Sequence, residues 1–148
     1  MDIKLVFSKE RAEEMLQEVL DAFEKRGSKI DEITGFSANE EKAVQLEIVK
    51  KQLLQGFMIG ALTFDKPNKK LRQKLFSPLE CGDAKVEELC FIRGLKMHQL
   101  LHITGQKGET PDILDQIESM TNTSRKLLCE LQDVDMEFAT AIGGLFLS

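Results

Sequence analysis

The sequence predicts an α+β fold: an N-terminal helical hairpin, a small antiparallel three-stranded sheet and a C-terminal cluster of short helices. Apolar residues recur at helical spacing within residues 1–55. Short apolar runs separated by turn residues occupy the middle of the chain. Helical spacing returns after residue 94, together with residues that start helices. Since 148 residues is a usual size for one domain, we expect the regions 1–55 and 56–148 to form one compact unit.

Local signals set the expected ends of the helices. Ser8 is a suitable N-cap for the first helix, and Gly27 is expected to end it. Residues 37–40 read Ser-Ala-Asn-Glu, a capping box that starts a second helix after a polar link. Asp133 is expected to cap the last helix. The predicted elements are a strand at 3–7, helices at 9–25 and 38–55, strands at 57–64, 71–76 and 86–92, and helices starting near 95, 110, 123 or 124, and 133.

Turn chemistry predicts that the three middle strands form an antiparallel meander. Asp65-Lys66-Pro67-Asn68 supplies the backbone angles of a tight turn. Cys81-Gly82-Asp83 is a second short loop. Connections this short join antiparallel neighbours, because a parallel pair needs a long crossover.

Composition excludes several classes of function. The net charge is −5 with a pI near 5.2, which disfavours nucleic-acid binding because that depends on Lys and Arg neutralising phosphates. The densest basic stretch, residues 66–74, is interpreted as a solvated hairpin tip. No apolar run reaches the roughly 18 residues of a membrane span, and the N-terminus does not have a signal-peptide pattern. Three scattered cysteines indicate free thiols in a reducing compartment, so we expect a cytoplasmic protein, bacterial or in a phage-infected host.

The residues with chemical potential do not form a catalytic pattern. His98 and His102 are four apart on a predicted helix, and with Cys81 and Cys90 upstream they leave a zinc site open as the less favoured alternative. The Cys–Cys gap is wider than zinc-binding pairs use, so a surface or half-buried histidine pair is the favoured interpretation. The sequence also contains no nucleophile elbow and no phosphate loop. We therefore expect no enzyme, no cofactor and no bound metal.

The C-terminal helix is the candidate binding element. Residues 138–147 are the most apolar stretch of the chain, and Phe138, Ile142, Leu145 and Phe146 share one helical face. One interpretation is a core helix that closes the domain. The other is a partly exposed helix that fills a groove on a partner or self-associates, with these four residues as its anchors.

From residue 60 to residue 148 the chain resembles the tail assembly chaperones of long-tailed bacteriophages. The resemblance is carried by the hairpin Ala61–Phe64 and Leu71–Phe76, the strand Val86–Phe91, the segment Met120-Thr121-Asn122-Thr123-Ser124, and the leucine helix that leads to an aspartate-capped apolar helix. Residues 1–55 are a departure, with no counterpart in that family. The resemblance implies binding to the tape-measure protein, an apolar helical polypeptide kept soluble until the tail tube polymerises. It implies no catalytic residue.

The function predicted from the sequence is therefore that of a non-enzymatic, protein-binding chaperone for an apolar client. A type III secretion-type chaperone is one alternative, since those proteins are also small, acidic, α+β and dimeric. A structural component of a phage or another multiprotein assembly is a second alternative.

Overall fold

A computed structural model describes residues 3–23, 26–91 and 113–147 and confirms the α+β class. Within these residues, three N-terminal helices precede a three-stranded sheet and three further helices follow it. They are α1 Lys9–Ala22, α2 Arg26–Thr34, α3 Glu40–Met58, β1 Leu62–Asp65, β2 Lys70–Cys81, β3 Ala84–Phe91, α4 Ile113–Thr121, α5 Arg125–Leu128 and α6 Asp133–Leu147.

The first helix begins as predicted but ends earlier. Ser8 is its N-cap, and the Ser8 hydroxyl oxygen accepts a hydrogen bond from the Arg11 amide at 3.2 Å. The Phe23 amide closes the last turn on the Val19 carbonyl at 3.1 Å. The prediction that Gly27 ends this helix is wrong, because Gly27 lies inside α2. The polar link of the predicted hairpin therefore contains a helix of its own.

Helix α3 corresponds to the second helix predicted from the sequence, at residues 38–55, and differs from it at both ends. Its N-cap is Asn39, whose side-chain oxygen accepts from the Lys42 amide at 3.0 Å, while Ser37 donates its hydroxyl proton to the Asn39 carbonyl at 3.1 Å. The helix continues through Gly56 to Met58, so the strand predicted to start at residue 57 starts at Leu62 instead. Packing explains the continuation, since Gly56 is buried and its missing Cβ leaves room for a neighbouring core side chain.

The strand predicted for residues 3–7 is not formed. These residues have no regular structure, and the amides of Val6 and Phe7 both donate to the Met58 carbonyl, at 2.7 and 3.0 Å. The segment thus satisfies an orphan carbonyl at the end of α3, which would otherwise need water or a cap. Gly60, at φ +75°, places its backbone against the Val6 side chain.

The sheet is an antiparallel meander of order β1-β2-β3, as predicted. Strand β2 is longer than expected, and its pairing with β3 shifts register between Lys74 and Leu79. The β2–β3 turn is tight and uses Gly82 at φ +61°, a region that L-residues rarely adopt. The β1–β2 turn ends in Lys69 at φ +52°.

The core lies between the sheet and the helices. Helix α3 packs between α1 and α6, α6 and α5 contact β2, and α4 contacts β3 and α6. Large side chains from α3, the sheet and the three C-terminal helices are fully buried, among them Leu53, Phe57, Leu62, Leu71, Leu89, Phe91, Ile117, Met120, Leu128 and Ile142.

The C-terminal helices follow their predicted caps in part. The Ser124 hydroxyl oxygen accepts from the Leu127 amide at 3.4 Å and caps α5. Asp133, which was predicted to cap the last helix, is instead the first helical residue of α6 and has a positive φ of 46°. The helix predicted near residue 95 and the helix start predicted at residues 110–112 lie outside the described residues.

Candidate functional site

The four residues of the C-terminal helix that the sequence singles out for partner binding lie in the core. Phe138, Ile142, Leu145 and Phe146 are all buried. The Phe146 ring meets the Phe23 ring nearly edge-on, with centroids 4.6 Å apart, a favourable aromatic arrangement. Direct contact between these side chains and a partner would require the core to open. Their role in partner binding stays a prediction, and exposed residues are the more accessible candidates.

Asp135 fastens α6 to the sheet. Its carboxylate is buried and accepts hydrogen bonds from the main-chain amides of Phe76 and Ser77, each at 2.9 Å. Its main-chain carbonyl accepts a third bond from the side-chain amide of Gln73 at 2.8 Å. The three bonds hold the irregular part of β2 against the start of α6. The Asp135 carboxylate therefore has a structural role in the fold.

Exposed apolar surface is concentrated in the N-terminal third of the chain. Among the side chains that the structure describes, nine large apolar residues are exposed, and eight of them precede residue 49. Met136 on α6 is the ninth. Burying apolar surface is the main driving force of folding and association, so exposed apolar side chains that lie together commonly mark a site of interaction. The eight are Ile3, Leu5, Val6, Ile30, Ile33, Phe36, Val44 and Ile48.

Helices α2 and α3 enclose a surface groove, which we call the α2–α3 groove. It has a volume of about 370 Å³. Phe36 is 69% exposed and lines the groove, while Ile33 on α2 is 84% exposed. The groove combines apolar lining residues with a charged rim. Its lining comprises Phe36, Ala43 and Leu46, with Gly35, Ser37, Asp31, Glu32, Glu47 and Lys50 around them.

Sequence reasoning missed this groove because it treated the segment between the two predicted helices as a polar link. A usable signal was present. Ile30 and Ile33 are three residues apart, which is the spacing of neighbours on one side of a helix, and Phe36 follows them just beyond the end of α2. In a segment otherwise rich in charge, that spacing indicates an amphipathic element.

The basic stretch predicted as a hairpin tip spans the β1–β2 turn and the start of β2. At this tip a hydrogen bond from the Asn68 side chain to the carboxylate, at 2.8 Å, lowers the pKa of Asp65 below its ordinary value. Arg72 donates to Glu88 across the β2–β3 pair at 2.8 Å, and this bond raises the pKa of the Arg72 guanidinium. Both pairs face solvent and stabilise local geometry without forming a pocket.

The candidate metal ligands are only partly described. His98 and His102 lie outside the described residues. Cys81 and Cys129 are exposed free thiols, and Cys90 is a half-buried one. Within residues 3–23, 26–91 and 113–147, no group of three or more His, Cys, Asp or Glu side chains is placed to hold a metal ion. The zinc alternative stays a prediction, because two of its four residues, His98 and His102, lie beyond these ranges.

Comparison of the chain with known protein families, with curated proteins and with solved structures finds no match. Among the helices that the structure describes, none combines the length and the apolarity required to cross a membrane.

Proposed function

We propose that this chain is a non-enzymatic, protein-binding chaperone that holds an apolar helical client in the α2–α3 groove. The observation that carries the proposal is the 69% exposure of Phe36, which lines the groove, together with the exposure of Ile30 and Ile33 on helix α2, which forms one side of it. A folded chain keeps such residues at its surface at the cost of solubility, which is offset when a partner covers them.

The shape and charge of the groove suggest the class of client. A groove between two helices accepts an amphipathic helix whose apolar residues recur every three or four positions. The rim carries three carboxylates, those of Asp31, Glu32 and Glu47, against one ammonium group, that of Lys50. Lys50 itself lies 3.8 Å from Glu47. The preferred client is therefore a helix with an apolar face and basic flanking residues, because opposite charges at the rim favour association and register.

The finer proposal is that the client is a phage tape-measure protein and that binding takes place in the cytoplasm before tail assembly. Support for this step comes from the resemblance of residues 60–148 to tail assembly chaperones. The net charge of −5 would help to keep a complex with an aggregation-prone client in solution. The groove belongs to residues 1–55, outside that resemblance, so client binding and phage identity are separate steps of the proposal.

Co-expression tests both steps. As the client we would use a long helical polypeptide of the tape-measure type, expressed alone, with the wild-type protein, or with the double variant Ile33→Glu/Phe36→Ser. We expect most of the client to be soluble with the wild type and insoluble with the double variant. Met136→Glu is the matched control, since it replaces an exposed apolar residue away from the groove and should preserve client solubility.

Three results would contradict the proposal. If the double variant kept the client as soluble as the wild type does, neither the groove at Phe36 nor the exposed Ile33 side chain of α2 would be part of the binding surface. A client that was soluble when expressed alone would need no chaperone. If the protein remained in purified, finished tails, it would be a structural component, because an assembly chaperone leaves its client before completion.

A further inference from the structure

Helix α3 has an outer face that no part of the described chain covers. We define this α3 outer face by Glu41, Val44, Ile48 and Lys51, all of which are exposed. Their spacing of three, four and three residues places them in one row along the helix. The buried residues Leu53 and Phe57 mark the opposite side, because each residue advances the helix by about 100°.

The row consists of two apolar residues between two opposite charges. Val44 is 61% exposed and Ile48 is 54% exposed. Within the described ranges, neither the Glu41 carboxylate nor the Lys51 ammonium group takes part in an ion pair. The alternating spacing is that of the a and d positions of a coiled coil, which contact a second helix when one is present.

This row is complementary to itself when a second copy runs in the opposite direction. Glu41 and Lys51 are equally distant from the position of Leu46, and so are Val44 and Ile48. A two-fold axis at that position therefore sets Glu41 opposite Lys51 of the partner subunit and Val44 opposite Ile48 of the partner subunit. Each contact occurs twice, as two-fold symmetry requires.

We propose that the α3 outer face binds the same face of a second copy of this chain in antiparallel orientation, which makes the protein a homodimer. A parallel pairing would set Glu41 against Glu41 and Lys51 against Lys51, and like charges at these positions are destabilising. The proposal goes beyond the chaperone function and leaves the groove free. Ala43, Leu46 and Lys50, which line the groove, lie on other sides of α3.

The size of the face sets the expected affinity. Helix α3 has 19 residues, so it is about 28 Å long, and only two apolar layers lie within the row. An interface of this kind falls at the small end of specific protein contacts, and we expect a dissociation constant on the order of 10–100 μM.

Charge exchange tests the orientation. Sedimentation equilibrium of the full chain at low salt, at protein concentrations up to about 1 mM, gives the dissociation constant. Glu41→Lys alone, or Lys51→Glu alone, should weaken the dimer roughly ten-fold, since each turns two attractions into two repulsions. A mixture of the two single variants should form heterodimers with wild-type affinity, because both charge pairs are then restored.

The remaining variants separate this surface from the groove. Val44→Glu should yield a monomer that still keeps the client soluble, whereas Ile33→Glu/Phe36→Ser should still dimerise. A wild-type protein that is monomeric at 1 mM would overturn the proposal, where 1 mM is roughly ten times the weakest dissociation constant expected. The proposal would also be overturned if Val44→Glu left the dissociation constant of the dimer unchanged. It would be overturned as well if a mixture of Glu41→Lys and Lys51→Glu did not recover the association of the wild type.

Discussion

Replacing Asp135 should destabilise the protein more than any other single change to the start of α6. In Asp135→Ala the main-chain amides of Phe76 and Ser77 lose the carboxylate oxygens that lie 2.9 Å away. A hydrogen bond to a charged group contributes about 1.5–3 kcal/mol net, and partly buried amides recover some of the loss by contact with water. We expect the free energy of unfolding to fall by about 3 kcal/mol. Since Gln73 donates to the main-chain carbonyl of residue 135, that bond remains in the variant.

Asp135→Asn should show about half of this loss. The amide keeps one acceptor oxygen for one of the two main-chain donors, but its NH₂ group faces the other. Urea unfolding followed by far-ultraviolet circular dichroism measures both variants. Circular dichroism suits the chain because it has no Trp and no Tyr to report by fluorescence.

Glu137→Ala is the control, because Glu137 is exposed on the same helix. Its unfolding free energy should stay within about 0.5 kcal/mol of the wild type, as for most surface substitutions. If Asp135→Ala were as stable as this control, the two amide bonds would contribute nothing to the attachment of α6. The inference that Asp135 joins helix and sheet would then be wrong.

Three further predictions each rest on one local feature of the structure. Gly56→Ala should lower the free energy of unfolding by about 1–2 kcal/mol in the same urea experiment. A Cβ at this position would lie 2.6 Å from Cδ1 of the buried Leu62, and the resulting overpacking outweighs the gain in helix propensity. Lys69→Gly should raise it by about 1 kcal/mol, because Lys69 has φ +52°, and a decrease in the urea midpoint would contradict this. NMR titration should give Asp65 a pKa below 3.8 that rises in Asn68→Ala. The ionised Asp65 carboxylate then stabilises the turn fully above its unfolded-state pKa, and this stabilisation is lost as the pH falls through the lowered pKa of the folded state. An unchanged Asp65 pKa in Asn68→Ala would refute the assignment of the shift to the Asn68 hydrogen bond.

Features fixed by neighbouring residues could be predicted from the sequence. The sequence predicted Ser8 as one N-cap and Thr123 or Ser124 as another, and the hydroxyl oxygens of Ser8 and Ser124 each accept a bond from the amide three residues later. The meander was predictable because both of its turns are short and carry Pro, Asn or Gly at the central positions. Local chemistry decides these elements, so a local pattern is sufficient.

Features fixed by distant residues could not be predicted in this way. Asp135 bonds to amides 58 and 59 positions away, and nothing near it in the sequence distinguishes it from Asp133, which was expected to be the cap. Gly56 looked like a helix end, yet the fold needs a helical glycine where a core side chain comes close.

Apolarity alone could not decide between the two interpretations of the C-terminal helix. Phe138 and Ile142 are strongly apolar and at helical spacing, but the pattern is the same for a core helix and for an exposed one. Both side chains are buried. Ile33 and Phe36, in a charged segment, are instead the exposed residues.

The bonds of Asp135 also have a consequence for the order in which the protein folds. Helices α1 to α3 and the two hairpins are closed by contacts between near neighbours, which form early because little loop entropy opposes them. Helix α6 packs on α3, about 90 residues earlier in the chain, and on β2, about 60 residues earlier. Contacts of such long range are slow to form, so the docking of α6 is expected to be the late step. Until it occurs, the apolar side of α6 and the side of α3 that it covers are exposed to solvent, and a newly made chain is most prone to aggregation in that interval.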